Sequence, residues 1–191
     1  TCCFSSLFQN FMTLWMGSDL LLNYPVVILL CIYFVGYEYV MLMSVYKDAG
    51  GIWHEDRFRP LISGIVNIIL NIILVNFIGL YGIVLSTIIS IYCISAPWIT
   101  KNVFNLIFVK DDIVDFLETI LKYLITLIIS VICVNVCCAF VTLNSIVGFI
   151  IKGIITLIIS NGIFTLAYMK DPMLKKMIDL INRKIFKISP V

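Results

Sequence analysis

The stretch KDAGGIWHEDRFRPL, Lys47 to Leu61, gathers one lysine, two arginines, three acids and the only histidine of the chain. A histidine beside carboxylates is raw material for acid–base catalysis or a metal site. Here His54, Glu55 and Asp56 are consecutive, so their side chains point in different directions along an ordinary backbone. The chain has no HxxxH or DxxD spacing to supply the missing partners, and Gly50-Gly51 lacks the Lys-Ser/Thr that a phosphate-cradling loop needs. A membrane transferase or polymerase gathers titratable groups at one face, and no such gathering is legible. The sequence therefore points away from an enzyme: it offers no catalytic residue, no metal set and no cofactor motif.

A second group of reactive side chains lies inside apolar runs. Glu38 and Lys152 each interrupt a long hydrophobic stretch, and Lys122 stands near the start of another. A charge near the bilayer centre costs about 2.5–3.5 kcal/mol on insertion scales, so such residues face protein or water rather than lipid. Glu38 lies some 21 Å into its helix and Lys152 about 9 Å into its own, counting about 1.5 Å per residue. At those depths the two do not pair directly. Glu38 is either a structural carboxylate or one that couples a cation. Lys152 either snorkels to the headgroups or faces a lumen that accepts an anion, and Lys122 is placed to snorkel.

Neutral polar residues recur at four-residue spacing, which puts them on one helix face. Ser63, Asn67 and Asn71 form one stripe and Ser86 with Ser90 another. Thr126 and Ser130 follow Lys122, and Thr156 and Ser160 follow Lys152. These stripes are either glue between helices or the lining of a shared polar cavity. As cavity-lining or substrate-binding candidates the sequence nominates Lys152, Asn67, Asn71, Thr156 and Ser160, with Glu38 as the coupling candidate.

The elements that carry these residues follow from composition. The chain has 191 residues, 62% of them hydrophobic and 13% charged, with a mean hydropathy of +1.11. Soluble domains run nearer 45–50% apolar and about 25% charged, so this is a membrane protein. Five stretches reach the roughly 20 apolar residues of a spanning helix: Tyr24–Tyr46, Pro60–Leu80, Gly82–Thr100, Thr119–Val141 and Ile146–Tyr168. The uncharged opening TCCFSSLFQNFMTLWM has no basic n-region or cleavage pattern and reads as the end of a sixth span cut in half, in the C-terminal part of a longer protein. The expected division is 1–23 as span end and outer turn, 24–168 as a five-span membrane lobe, and 169–191 as a basic tail.

Lys47, Arg57 and Arg59 lie in one connection, Lys101 and Lys110 in the next but one, and Lys170, Lys175, Lys176, Arg183, Lys184 and Lys187 in the tail. The alternate connections, Asn76–Gly82 and Thr142–Ser145, carry none. The positive-inside rule then makes the charged loops and the C-terminus cytoplasmic, with Asp19 outside. Pro60 suits a helix start, and Trp53 and Phe58 suit the headgroup level. KDDIVDFLETI has the spacing of a short amphipathic helix lying on the membrane before the fourth span, and the basic tail MLKKMIDLINRKIFKI repeats that design, suited to anionic lipid headgroups. Of the seven cysteines none forms a CxxC pair, so they read as ordinary buried thiols.

From Lys47 to Ser90 the sequence KDAGGIWHEDRFRPLISGIVNIILNIILVNFIGLYGIVLSTIIS resembles the C-terminal region of bacterial Wzx-type polysaccharide and oligosaccharide flippases, of the multidrug/oligosaccharidyl-lipid/polysaccharide exporter superfamily. The aromatic followed by Lys-Asp-Ala, the Gly-rich turn, Trp53, the acid with Asp-Arg-aromatic, and the base with Pro-Leu-Ile look like that family's cytoplasmic loop. The asparagine-rich helix, Gly79 and Gly82, and Ser86-Thr87 with Ser90 match as well, and FMTLWMGSDLLL looks like its outer turn. The resemblance implies an all-α, multi-pass transmembrane bundle of about six spans, one lobe of a two-lobe alternating-access transporter in the bacterial cytoplasmic membrane.

It also implies a partner lobe N-terminal in the same chain and an undecaprenyl-pyrophosphate-linked oligosaccharide as cargo, destined for O-antigen, capsule, teichoic acid or exopolysaccharide. Membrane lipids surround it, Na⁺ or H⁺ gradients drive its relatives, and nucleic acid plays no part. Lys47, Asp48, Trp53, Asp56, Arg57 and Arg59 become cytoplasmic gate-loop candidates. Members often carry basic residues in the span before Lys-Asp-Ala, whereas VGYEYVMLMSV carries Glu38 and no arginine. That departure keeps a cation-coupled multidrug exporter of the same superfamily as the rival reading, with a membrane polysaccharide polymerase behind it.

Overall fold

The computed structural model describes residues 1–17, 21–108, 112–141, 146–169, 176, 179 and 180. Asp19, Lys110, Asp111, the Thr142–Ser145 connection and, apart from Met169 and those last three residues, the basic tail lie outside the described residues. Seven α-helices with defined bounds run in order among the described residues: α1 (Cys2–Met16), α2 (Tyr24–Ala49), α3 (Arg59–Ile78), α4 (Leu80–Ser90), α5 (Ala96–Leu106), α6 (Asp112–Ala139) and α7 (Ile146–Tyr168). A π-helical turn, Ile91–Ser95, joins α4 to α5 in one rod. No strand occurs among the described residues. The protein is an all-α multi-pass membrane bundle: α2, α3, the Leu80–Leu106 rod, α6 and α7 are each long and apolar enough to cross a bilayer.

Local chemistry sets the helix ends. Pro25 and Pro60 sit in the first turns of α2 and α3, where their missing N–H would have had no partner anyway. Lys47 lies in the last turn of α2 and Asp112 and Asp115 in the first turn of α6, each of the sign that suits the helix dipole there. Between α3 and α4 the chain reverses on Gly79 alone, at φ 57, a conformation open mainly to glycine. The connection foreseen over Asn76–Gly82 is therefore shorter, because both helices run up to that one residue.

Two other expectations need correction. The third span is longer than Gly82–Thr100, reaching from Leu80 to Leu106. The short surface helix foreseen before the fourth span is not separate: α6 is continuous from Asp112. No glycine or proline interrupts that stretch, and Ile113 and Phe116 pack on protein, against the buried cluster of Met43, Ile99, Val103 and Phe104. That cluster ties α2, α5 and α6 together. A second one, Cys2, Val134 and Cys138 with Leu127, Val131, Ile155 and Ile159 around it, ties α1, α6 and α7. In lipid the hydrophobic effect does not drive helices together, so close packing and interhelical hydrogen bonds must hold these groups. The seven cysteines are all free, and Cys3 and Cys93 are exposed rather than buried.

Candidate functional site

The Lys47–Leu61 stretch folds into a closed polar hub. The last turn of α2 presents Lys47 and Asp48. Gly51 turns the chain at φ 67, and the Ile52 amide donates to the Lys47 carbonyl at 3.0 Å. Ile52 is buried, and Trp53 folds back so that Lys47 Nζ stands 4.0 Å from the centroid of its ring. Asp56 then points inward, its side chain 3% exposed. Arg59, the first residue of α3, donates from Nε to both Asp56 oxygens at 2.8 and 3.0 Å and from Nη2 at 2.9 Å. Lys47 Nζ lies 2.8 Å from Asp48 and 3.9 Å from Asp56.

Two cations meet two carboxylates, so the hub is close to neutral and its inward-facing groups are committed to one another. Its chemistry is bracing: it clamps the end of α2 to the start of α3. Arg57 stacks on exposed Phe58 at 4.5 Å, on the outside of the hub, and His54 and Glu55 are exposed. Of the six gate-loop candidates, Lys47, Asp48, Trp53, Asp56 and Arg59 are thus brought together, and Arg57 is not.

The polar stripes form two separate seams. Along α3 and the α4 rod, Ser63 Oγ lies 2.8 Å from both Ser90 Oγ and Ser95 Oγ. Asn67 donates to Thr87 Oγ1 at 3.1 Å, Asn71 donates to Asn67 Oδ1 at 3.1 Å, and Ser86 donates to Asn71 Oδ1 at 2.5 Å. The second seam joins α1, α6 and α7. Ser6 and Thr156 hydroxyls lie 3.1 Å apart, Asn135 donates to Ser5 Oγ at 3.2 Å, and Thr126 meets the Tyr168 hydroxyl at 3.0 Å. Thr156 and Ser130 are fully buried, and Ser160 donates back to the Thr156 carbonyl at 2.7 Å.

No hydrogen bond links the two seams among the described residues. Asn67 and Asn71 thus lie in one, and Thr156 and Ser160 in the other. Of the two readings of the stripes, this geometry is that of helix–helix glue. Asn71→Leu is expected to lower stability by about 0.6–2 kcal/mol, the range for interhelical hydrogen bonds in membranes. Denaturant titration of the purified protein in detergent checks it, and an unchanged midpoint would mean the seam contributes nothing.

The intramembrane charges remain apart. Glu38 is exposed on α2, nine residues before Lys47 and so about 13 Å from the charged end of that helix. Lys152 is half-buried on α7, its carbonyl accepting from Thr156 at 2.8 Å. Among the described residues no ion pair involves either one. Lys122 is 69% exposed and 4.0 Å from Glu118, a solvent-facing pair worth little.

Spacing alone missed several polar contacts, Asn135–Ser5 and Tyr39–Thr100 among them. Asn135 stands outside the four-residue stripe of α6, and only its offset from Ser130 could have flagged it. Tyr39 and Thr100, whose hydroxyls meet at 2.6 Å, carry no periodic signal at all. Neither family models nor curated proteins nor solved structures give a match to this chain.

Proposed function

We propose that this chain is one lobe of an alternating-access transporter of the bacterial cytoplasmic membrane, with its charged loops and C-terminus in the cytoplasm. Its cargo is an undecaprenyl-pyrophosphate-linked oligosaccharide. The observation that carries transport is Glu38: an exposed carboxylate without an ion-pair partner among the described residues, inside an otherwise apolar span. Holding such a group against hydrocarbon is costly, and intramembrane carboxylates almost always face protein or a water-filled cavity. Its face of α2 therefore borders water or a further protein surface, as the lumenal wall of a transporter lobe does. The cargo follows from the resemblance over Lys47–Ser90, whose loop residues build the hub that braces α2 on α3.

A second reading, a cation-coupled multidrug exporter, is favoured by the same Glu38, since a carboxylate suits cationic cargo or a coupling ion better than a pyrophosphate. Lys152 is the residue that separates them. For a pyrophosphate cargo, Lys152→Ala should cut surface-polysaccharide export at least about tenfold, the scale of losing a charge-assisted hydrogen bond, at unchanged expression. Glu38→Gln should remove the dependence of transport on pH or Na⁺ in either reading. Full export by Lys152→Ala with cation-dependent drug resistance lost in Glu38→Gln would select the exporter.

A further inference from the structure

The third membrane rod is divided at its middle. In the π turn the Ala96 amide bonds five residues back to Ile91, and Pro97, two residues beyond the turn, brings no N–H to the ladder. Such turns inside α-helices are frequent at functional sites, and π turns and prolines are the places where helices kink sharply. The turn is pinned on two sides. Ser95 binds Ser63 of α3, and the Tyr92 hydroxyl donates to the Ile32 carbonyl of α2 at 3.0 Å. The Tyr92 ring lies so close to Gly36 that a Cβ there would stand 2.6 Å from it.

The two halves of the rod are held differently. α4 is seated on α3, with Gly82 against the Leu74 backbone and the polar seam along it. α5 has open space on both flanks. A groove of about 590 Å³ lies towards Tyr39 of α2 and Ile113 and Leu117 of α6. Another of about 610 Å³ lies towards Glu55 and Ile62. Pro97 and Lys101 border both.

One polar contact fastens α5 to α2. Thr100 Oγ1 donates to its own Ala96 carbonyl at 2.7 Å, so the Tyr39 hydroxyl is the donor in the 2.6 Å contact with Thr100. On the opposite flank Lys101 and Glu55 face the same groove, and among the described residues neither takes part in an ion pair. Asn102 donates to the Glu55 carbonyl at 3.3 Å, which keeps the loop within reach.

We propose that α5 pivots about the Ile91–Ser95 turn between two states. In the one described, the Tyr39–Thr100 hydrogen bond is the catch. In the other, α5 closes the groove beside the α2–α3 loop, and a Lys101–Glu55 ion pair becomes the catch. The Met43–Ile99–Val103–Phe104 contact slides rather than separates, as packed helices do in shear motions. Closing one groove opens the other, so the charged end of the bundle changes which flank of α5 it exposes. This device is independent of the cargo.

Zero-length carbodiimide coupling on the full-length protein in isolated membranes tests it, with the Glu55–Lys101 isopeptide quantified by mass spectrometry. The exposed Glu118–Lys122 pair, 4.0 Å apart, serves as the internal yardstick for reagent access and folding. Wild type should yield a minor Glu55–Lys101 product. Tyr39→Phe, which removes the catch and keeps the ring, should raise it about fivefold, the population shift that one net hydrogen bond gives. Pro97→Ala, which restores the N–H, should lower it below wild type. The proposal is overturned if no Glu55–Lys101 product forms in wild type or Tyr39→Phe while the yardstick does, or if its yield ignores Tyr39→Phe. A Pro97→Ala yield equal to wild type also overturns it, because the pivot then does not lie at this turn.

Discussion

Asp56→Ala is expected to lower stability by about 3–5 kcal/mol, the range for breaking a buried ion pair by removing one partner. The reason is asymmetry. Arg59 loses all three of its hydrogen bonds to Asp56, and its side chain, 11% exposed, stays in place without its carboxylate. Lys47, 10% exposed, keeps only Asp48. The hub then carries two cations against one acid. Asp56→Asn should cost less, since its amide oxygen can still accept from Arg59, and the double change Asp56→Ala with Arg59→Met should recover part of the loss. Thermal unfolding in detergent reads all three. Equal midpoints for wild type and Asp56→Ala would show that the hub does not hold α2 to α3.

Gly82→Ala is expected to destabilise the bundle as well. A Cβ at Gly82 would stand 2.5 Å from the Leu74 carbonyl carbon and oxygen and 2.8 Å from the Val75 nitrogen. These are backbone atoms, so no side chain can swing aside, and α4 must move off α3. Overpacking of this kind typically costs about 1–3 kcal/mol, occasionally more. The displacement also stretches the seam contacts nearest to it, between Ser86 and Asn71 and between Thr87 and Asn67. Because the turn at Gly79 is a single residue, the hairpin has no slack to absorb the shift. Gly64, on the same helix as Asn67 but with nothing near its missing Cβ, is the control: Gly64→Ala should leave the unfolding midpoint unchanged or raise it slightly.

Hydropathy made the spans legible, because a run of about 20 apolar residues has few other uses. Pro60 marked the start of α3 for a reason that is local in sequence. The hub was half legible: its charges were conspicuous, but the inward turn of Asp56 depends on Gly51 and on Lys47 beneath Trp53, contacts that no periodicity encodes. For the stripes, the sequence showed which residues share a face and not what that face meets. Seam and cavity wall have the same pattern, and only the neighbouring helix distinguishes them. The continuity of α6 was missed because amphipathic spacing before a span suits a surface helix as well as a helix end packed on protein. The π turn was invisible, since the partners of its Tyr92 and Ser95, namely Ile32 and Gly36 of α2 and Ser63 of α3, lie on other helices.

The measurement that tests the transport proposal most directly is the leaflet in which lipid-linked oligosaccharide resides after the protein is depleted from its own cell. Spheroplasts treated from outside with a membrane-impermeant glycosidase report this, with the total lipid-linked pool as the reference. The proposal predicts that depletion enlarges the pool and leaves it protected from the enzyme, with surface polysaccharide falling in parallel. An unprotected pool of normal size, with surface polysaccharide intact, would contradict it.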